Sequence, residues 1–335
     1  MEKYTYKKGF ILGKFMPVHT GHLFLIEQAL ANSAELTVLV CSTPREPIDG
    51  KLRYGWMQEC MKHHQRVKVI HVPDDVPSYP HEHPDFAAIW TRLLRHYLDA
   101  DTEVIFTSEE YGDQVAEWLS IKHCCIDLNR QTFPVSATQI RENPLAHWSF
   151  IPEPVRPYFV TKIVLTGPES TGKSTLCMEL AKHYQTQFVA EFGREYFIQK
   201  KGVFTHDDYV HIAETQLRLE NEAAINSNGL LFCDTDPMVT AIWAEVYKID
   251  VPAKVKILSS TSKYNLHLLL DIDIPWEDDG TREFPHLRNW HFNRIKQELI
   301  LQKRKFVIIS GMYEDRRTAA IQVLDTYLNT AKVKS

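Results

Sequence analysis

Two kinds of apolar pattern take turns along the chain: short β-branched runs, and longer stretches whose apolar residues recur three and four positions apart. Gly9-Phe10-Ile11-Leu12-Gly13 predicts a first strand. After a proline-containing turn, Leu23, Ile26 and Leu30 predict a helix from about His22 to Asn32, and Leu36 to Cys41 predicts a second strand. Strand, helix, strand at this spacing is a βαβ unit, which implies parallel pairing. A helix from Arg53 to His63 and a strand from Val67 to Val72 follow, then a loop holding Pro73, Pro77, Pro80 and Pro84. A helix from Asp85 to Tyr97, a strand from Glu103 to Thr107 and a helix from Gln114 to Leu119 complete the first half.

The stretch Pro152-Glu153-Pro154-Val155-Arg156-Pro157, three prolines in six residues, predicts a linker. Beyond it the strand pattern resumes at Lys162 to Thr166, Phe188 to Ala190, Leu230 to Cys233, Leu266 to Ile272 and Phe306 to Ser310, with helical patterns between. The fold class expected is α/β, two doubly wound parallel-sheet domains over residues 1–152 and 158–335. No repeat of 20 to 50 residues and no low-complexity tract interrupts this layout.

Between the strand at Lys162 and the helical run Thr175 to Leu180 stands Gly167-Pro168-Glu169-Ser170-Thr171-Gly172-Lys173-Ser174, which fills every position of G-x-x-x-x-G-K-[ST]. In such a phosphate loop the backbone N–H groups and the helix N-terminus converge on phosphate oxygens. Lys173 would reach the β- and γ-phosphates and Ser174 would ligate Mg²⁺. The motif does not separate a kinase from a GTPase or a motor ATPase. Asp234, in Cys233-Asp234-Thr235-Asp236 at the end of an apolar strand, stands where a carboxylate can hold the Mg²⁺ shell or take a proton from an attacking hydroxyl. An Asp helix cap competes as an account of both Asp234 and Asp236. Trp276 to Arg282 follows the fourth strand, in the place of a kinase lid, where Arg282 or Arg288 could neutralise a transferred phosphoryl group. A charged surface loop explains the same residues, and a solvated helix face explains Arg194.

In the first half, Gly13-Lys14-Phe15-Met16-Pro17-Val18-His19-Thr20-Gly21-His22 begins where a strand ends and a helix opens, the favoured ligand position of an open α/β sheet. His19 and His22, three apart, can sit together over the helix N-terminus and donate to phosphate oxygens. Ser136-Ala137-Thr138-Gln139-Ile140-Arg141 adds hydroxyls and an arginine able to clamp two phosphate oxygens, although an ordinary capped surface helix would look the same. Trp56, Trp90 and Trp276 are candidates to stack on an aromatic ligand.

Composition narrows the partners. A net charge of −5 argues against bulk binding of nucleic acid. Six cysteines without a C-x-x-C pair make neither a disulfide framework nor a zinc signature, and fit a reduced cytoplasmic compartment. No apolar run approaches the ~18 residues of a membrane span, and the N-terminus lacks a signal-peptide core.

Gly13-x-Phe15-x-Pro17-x-His19-x-Gly21-His22 with Ser136-x-Thr138-x-Ile140-Arg141 resembles the paired signature of the HxGH nucleotidyltransferase superfamily, in particular its nicotinamide mononucleotide adenylyltransferases. The phosphate loop in its Gly-x-Glu-Ser-x-Gly-Lys-Ser form, Cys233 to Asp236, and Leu269 to Trp276 running into Asp279-Gly280-x-Arg282 are similar to a ribosylnicotinamide kinase domain. Both in this order, from Gly9 to about Thr326, resemble the bifunctional NadR family.

The resemblance implies a Rossmann-like HxGH nucleotidyltransferase domain followed by a P-loop kinase domain, a cytoplasmic enzyme of NAD biosynthesis that assembles as a homo-oligomer. ATP, ribosylnicotinamide, nicotinamide mononucleotide and NAD would be its ligands, with Mg²⁺ as cofactor. His19, His22 and Arg141, and in the second half Lys173 and Asp234, would be catalytic. Gly13, Lys14, Phe15, Ser136 and Thr138 would bind nucleotide in the first domain; Gly167, Glu169, Ser170, Thr171, Gly172, Lys173, Ser174 and Thr175 would do so in the second. Asp236, Trp276, Arg282 and Arg194 are substrate or lid candidates, and Ser174 with Asp234 the metal candidates. Some relatives carry an N-terminal helix-turn-helix repressor domain; with eight residues before Gly9, that activity is expected to be absent. Two other functions compete: a coenzyme A pairing of adenylyltransferase and kinase, against which His19 argues, and a nucleotide-sensing regulator without turnover.

Overall fold

The computed structural model describes residues 4–129, 131–280 and 282–333, with side chains as far as residue 329. The chain divides into two compact units, Met1–Val155 and Arg156–Ser335. Each is a five-stranded, all-parallel sheet with helices between its strands.

In the first unit, β1 (Tyr6–Gly13), α1 (Thr20–Asn32), β2 (Ser33–Cys41), α2 (Gly50–Met61), β3 (Val67–Val72), α3 (Phe86–Tyr97), β4 (Val104–Thr107), α4 (Tyr111–Leu119), β5 (Lys122–Cys125) and α5 (Ala137–Glu142) follow in order. The sheet order is β3-β2-β1-β4-β5. Gly9 faces Leu36 on one side and Val104 on the other, so β1 is central and the strand order reverses across it. Phe10, Leu39, Ile105 and Leu94 form the core beneath. The strand β5, Lys-His-Cys-Cys, has no apolar or β-branched run to announce it; it is a short, partly exposed edge held by pairing of Ile105 with His123 and Phe106 with Cys124.

The second unit contains α6 (Arg156–Phe159), β6 (Thr161–Thr166), α7 (Lys173–His183), β7 (Gln187–Val189), α8 (Phe192–Gln199), α9 (His206–Ile225), β8 (Leu230–Asp234), α10 (Pro237–Val246), α11 (Ala253–Thr261), β9 (Leu266–Leu270), α12 (Arg288–Leu301), β10 (Phe306–Ile309) and α13 (Tyr313–Val333). Its order is β10-β9-β6-β8-β7, with β6 central. Every residue of β6 is buried, as a parallel strand covered on both faces requires. Lys162 tolerates that burial because its ammonium meets Glu220 at 2.8 Å. Ile163, Leu165, Leu176, Leu180, Phe232 and Leu268 build the core between β6, α7 and the neighbouring strands.

The proline-rich stretch expected as a linker is folded. Glu153–Val155 is a 3₁₀ turn, Val155 is fully buried, and α6 begins at the next residue. Proline fits the first turn of a helix because the N–H it lacks would have no partner there. Among the described residues, no helix is long and apolar enough to cross a membrane.

Candidate functional site

Both units place a loop at the carboxyl end of their central strand, where the chain must reverse and the helix that follows points its N-terminus outward. The first four N–H groups of a helix have no partner within it, so such a place attracts anions.

In the second unit the Gly167–Ser174 loop curls through left-handed backbone at Ser170 and Gly172 and a φ of 148° at Gly167. A Cβ on Gly167 would stand 2.9 Å from the Leu270 carbonyl oxygen, which is why glycine is needed there. Lys173 Nζ donates to the Pro168 carbonyl at 2.8 Å, as does Thr171 Oγ1. Ser174 Oγ donates to Asp234 Oδ2 at 2.5 Å, and the other oxygen, Asp234 Oδ1, is buried with no hydrogen-bond partner. This pair of adjacent hard oxygen donors, one still unsatisfied, fits Mg²⁺.

The loop forms one wall of a cavity that continues past Glu191, Gly193 and Arg194 to Phe197, Phe204, Tyr209, Trp243 and Tyr247. Tyr209 Oη and Thr235 Oγ1, both in its lining, are buried without partners. Burial, with Asp234 nearby, pushes the Glu191 carboxyl up to about 7, and Lys173 and Arg194 oppose the shift. Burial likewise raises Asp234 and Glu169. Gln216 holds the Glu191 turn by accepting the Phe192 N–H at 3.0 Å.

The other candidates of this unit separate. Arg194 and Arg282 line the cavity, and Asp279 pairs with both. Trp276 stands 6.0 Å from the Arg288 guanidinium, and Arg288 donates to the Ser170 and Ile274 carbonyls. Asp236 does not join the cavity lining. It is fully buried, caps α10 through the Val239 N–H at 3.1 Å, and pairs with His267 at 3.1 Å and Arg304 at 2.9 Å. The helix-cap account describes it. Arg316, which no motif marks, reaches from α13 under the phosphate loop. It donates to Thr171 O at 2.5 Å, Asp271 O at 2.8 Å and Gly311 O at 2.7 Å, and pairs with Asp273.

In the first unit, β1 ends at Gly13 and His19 caps α1, its backbone N–H donating to His22 Nδ1 at 3.2 Å. The two imidazoles lie 3.7 Å apart, and Phe15 meets His22 edge-on at 4.9 Å. A Cβ on Gly21 would sit 3.0 Å from the His19 ring, so glycine gives that ring its place over the first turn. Ser136 caps α5 through the Gln139 N–H, Arg141 donates to Met16 O and to Thr138 Oγ1 (3.0 Å), and the two signatures thus meet at one place. Lys14 pairs with Glu46 at 3.1 Å and donates to Ser78 at 3.2 Å. Beneath them Arg53, fully buried, donates to Lys14 O, Ile48 O (3.0 Å) and Cys41 O (3.2 Å) and pairs with Glu46. Burial pushes the Glu46 carboxyl up, but the Thr43 N–H, Lys14 and Arg53 outweigh it and hold the group below its ordinary value.

None of the three tryptophans proposed for stacking stands in the cavity wall described above. Trp56 is buried on α2, Trp90 packs against the first core and donates to Pro77 O at 2.9 Å, and Trp276 lies against Arg288. The aromatic wall comes from α8, α9, α10 and the turns beside them, dispersed over fifty residues with no local signature.

Known families match in the same arrangement. A cytidylyltransferase-like family covers residues 10–143 and an AAA domain family residues 162–316. The Trifunctional NAD biosynthesis/regulator protein NadR of Escherichia coli (strain K12) is 29% identical over 82% of this chain and 71% of its own length, and its counterpart in Salmonella typhimurium gives the same figures. A solved NadR protein in complex with NR superposes with a TM-score of 0.80 at 24% identity over 98% of both chains. Another, in complex with NAD and AMP-PNP, has a TM-score of 0.79 at 22% identity, over 97% of this chain and 96% of that one. These two structures establish the shared fold.

Proposed function

We propose, for a chain that belongs to the NadR family, that it carries out two successive steps of NAD synthesis. In the second unit the ribose 5′-hydroxyl of ribosylnicotinamide attacks the γ-phosphate of ATP, releasing ADP and nicotinamide mononucleotide. In the first, the phosphate of that mononucleotide attacks the α-phosphate of a second ATP, releasing pyrophosphate and NAD.

The observation that carries this reading is the second unit's cavity, where Lys173 and Ser174 share one space with Trp243, Tyr247, Phe204, Glu169 and Glu191. Nicotinamide bonded to ribose is a pyridinium cation. Aromatic faces attract such a ring, by about 0.5–2 kcal/mol for each cation–π contact, and carboxylates complement its charge. The unpartnered Tyr209 and Thr235 hydroxyls suit ribose.

Ser174 and Asp234 would hold Mg²⁺, which neutralises charge on the phosphate oxygens when bound. Lys173 leaves the Pro168 carbonyl for the β- and γ-phosphates, and the α7 N–H groups cradle them. Glu191, with its raised carboxyl, orients the 5′-hydroxyl and accepts its proton as the new O–P bond forms. In the first unit His19 and His22 donate to the α-phosphate over the α1 N-terminus, assisted by Arg141 and Lys14, and no covalent intermediate is needed.

Incubation of the protein with ATP, Mg²⁺ and ribosylnicotinamide, followed by chromatography, is expected to yield mononucleotide first and NAD later. Tight ATP binding with neither product formed would favour a regulator and sink this reading.

A further inference from the structure

Two guanidinium groups that line the second unit's cavity meet on one carboxylate oxygen. Asp279 Oδ2 accepts from Arg194 Nη2 and lies 3.1 Å from Arg282 Nη2. Arg194 comes from α8, and Arg282 from the segment between β9 and α12, so their convergence is tertiary. Arg282 also donates to Ser170 Oγ at 3.1 Å, which sets the pair against the phosphate loop, and the Glu277 N–H shares the same hydroxyl at 2.9 Å. Both arginines line the space that Lys173 and Ser174 line.

We propose that Asp279 is a resident stand-in for the terminal phosphate of the nucleotide: its carboxylate holds the Arg194–Arg282 clamp in the ligand-free chain and is displaced from it when a triphosphate binds. The inference rests on the nucleotide-binding half of the reading above. A carboxylate oxygen and a phosphate oxygen present the same charge and acceptor geometry to a guanidinium fork, so either fills the clamp. The side chains are partly exposed, Asp279 by 26% and Arg194 by 43%, so exchange of one anion for the other does not expose a buried charge. The neighbouring cations show the same pattern, since Lys173 rests on the Pro168 carbonyl and Arg288 on the Ser170 carbonyl. What distinguishes Asp279 is that it is a charged competitor, which a nucleotide must displace to engage both arginines. A diphosphate, lacking the terminal group, has no need to displace it.

The test is calorimetric titration of the full chain and its Asp279→Asn variant with AMP-PNP and with ADP, each with Mg²⁺. Removal of one partly exposed ion-paired carboxylate is expected to tighten AMP-PNP by about threefold to fivefold. ADP affinity should stay within about twofold, and added salt should narrow the AMP-PNP difference. Adding Arg194→Gln to Asp279→Asn should abolish the gain. Equal tightening of ADP, or unchanged or weaker AMP-PNP binding in a variant with unaltered thermal unfolding, overturns the proposal, as does a chain that binds neither nucleotide. No riboside enters the titration. The expected nucleotide pattern in a protein that fails to phosphorylate ribosylnicotinamide would therefore remove the substrate assignment and leave the stand-in intact.

Discussion

The loops that leave β1 and β6 meet the same demand at the same topological place with different chemistry. Each starts at the central strand of a five-stranded parallel sheet and opens the next helix. The first presents two imidazoles, His19 and His22, tilted by 30° with their centroids 3.7 Å apart. The second presents backbone, bent through Ser170 and Gly172, with one lysine at the helix start.

Beneath the surface the two are alike. A nearly inaccessible arginine from a later helix, Arg53 at 0% exposure or Arg316 at 2%, donates to carbonyls of the loop and to others at or just beyond the ends of neighbouring strands. A loop that turns N–H groups toward an anion leaves carbonyls facing inward, and a guanidinium with five donors can satisfy several of them at once. The counter-charges differ: Glu46, beside Arg53, is 7% exposed, whereas Asp273, beside Arg316, is 36% exposed. The first loop rests on a sealed ion pair, and the second on one that water reaches.

Disabling each loop in turn should have the largest effects. Lys173→Ala should lower riboside phosphorylation on the order of 10³-fold while leaving NAD formation from added mononucleotide intact. His22→Ala should do the reverse. Loss of both activities from one change in a folded protein would mean that the sites are not separate.

Next in size is the support. Arg53→Ala takes from Glu46 one of its two cations, leaving Lys14, and removes the donor to three inward carbonyls; it should cost on the order of 3 kcal/mol. Arg316→Ala, whose partner can be solvated, should cost less. Urea unfolding followed by the activity of each unit checks this, and equal losses would erase the distinction between sealed and open support.

The smallest effect is in pH. The native Glu191 carboxyl keeps its proton to about 7, against an ordinary value of 4.5, so the native state binds more protons in that window and stability falls as pH rises through it. Glu46, held below 4.5, acts oppositely: its contribution is present above that pH and is lost as pH falls below it. Glu191→Gln should therefore stabilise the second unit at pH 8 by on the order of 1 kcal/mol, and Glu46→Gln should destabilise the first. Denaturant midpoints at pH 5 and pH 8 measure the Glu191 linkage, and midpoints taken below pH 4.5 that of Glu46; an unchanged pH slope in Glu191→Gln would remove the former. Phosphorylation by the parent chain should decline below about pH 7 as Glu191 is protonated.

The strands β1, β2, β4, β6, β8 and β9 were legible because buried parallel strands are near-continuous apolar runs, and the partly buried edge strands β3 and β10 because β-branched and other apolar residues still dominate them. The strand β5 was not, since Lys122-His123-Cys124-Cys125 pairs at an edge without an apolar signature. Asp234 and Asp236 stand two apart with the same local signal, yet one faces Ser174 and the other caps α10 among His267 and Arg304. Nothing within that tetrapeptide distinguishes them.

The sequence alone was enough for the α/β alternation and for the course of the glycine-bearing loops after β1 and β6. These are local matters: a loop's backbone path needs glycine and a small set of side chains within about ten consecutive residues. Long-range packing alone carries Arg141 to Met16 O beside the histidines, sets Arg53 and Arg316 under the loops, gathers Phe197, Phe204, Tyr209, Trp243 and Tyr247 into one wall, and lets Asp279 bridge Arg194 and Arg282. Each of these depends on which distant elements the strand order brings side by side, and no spacing along the chain encodes that order.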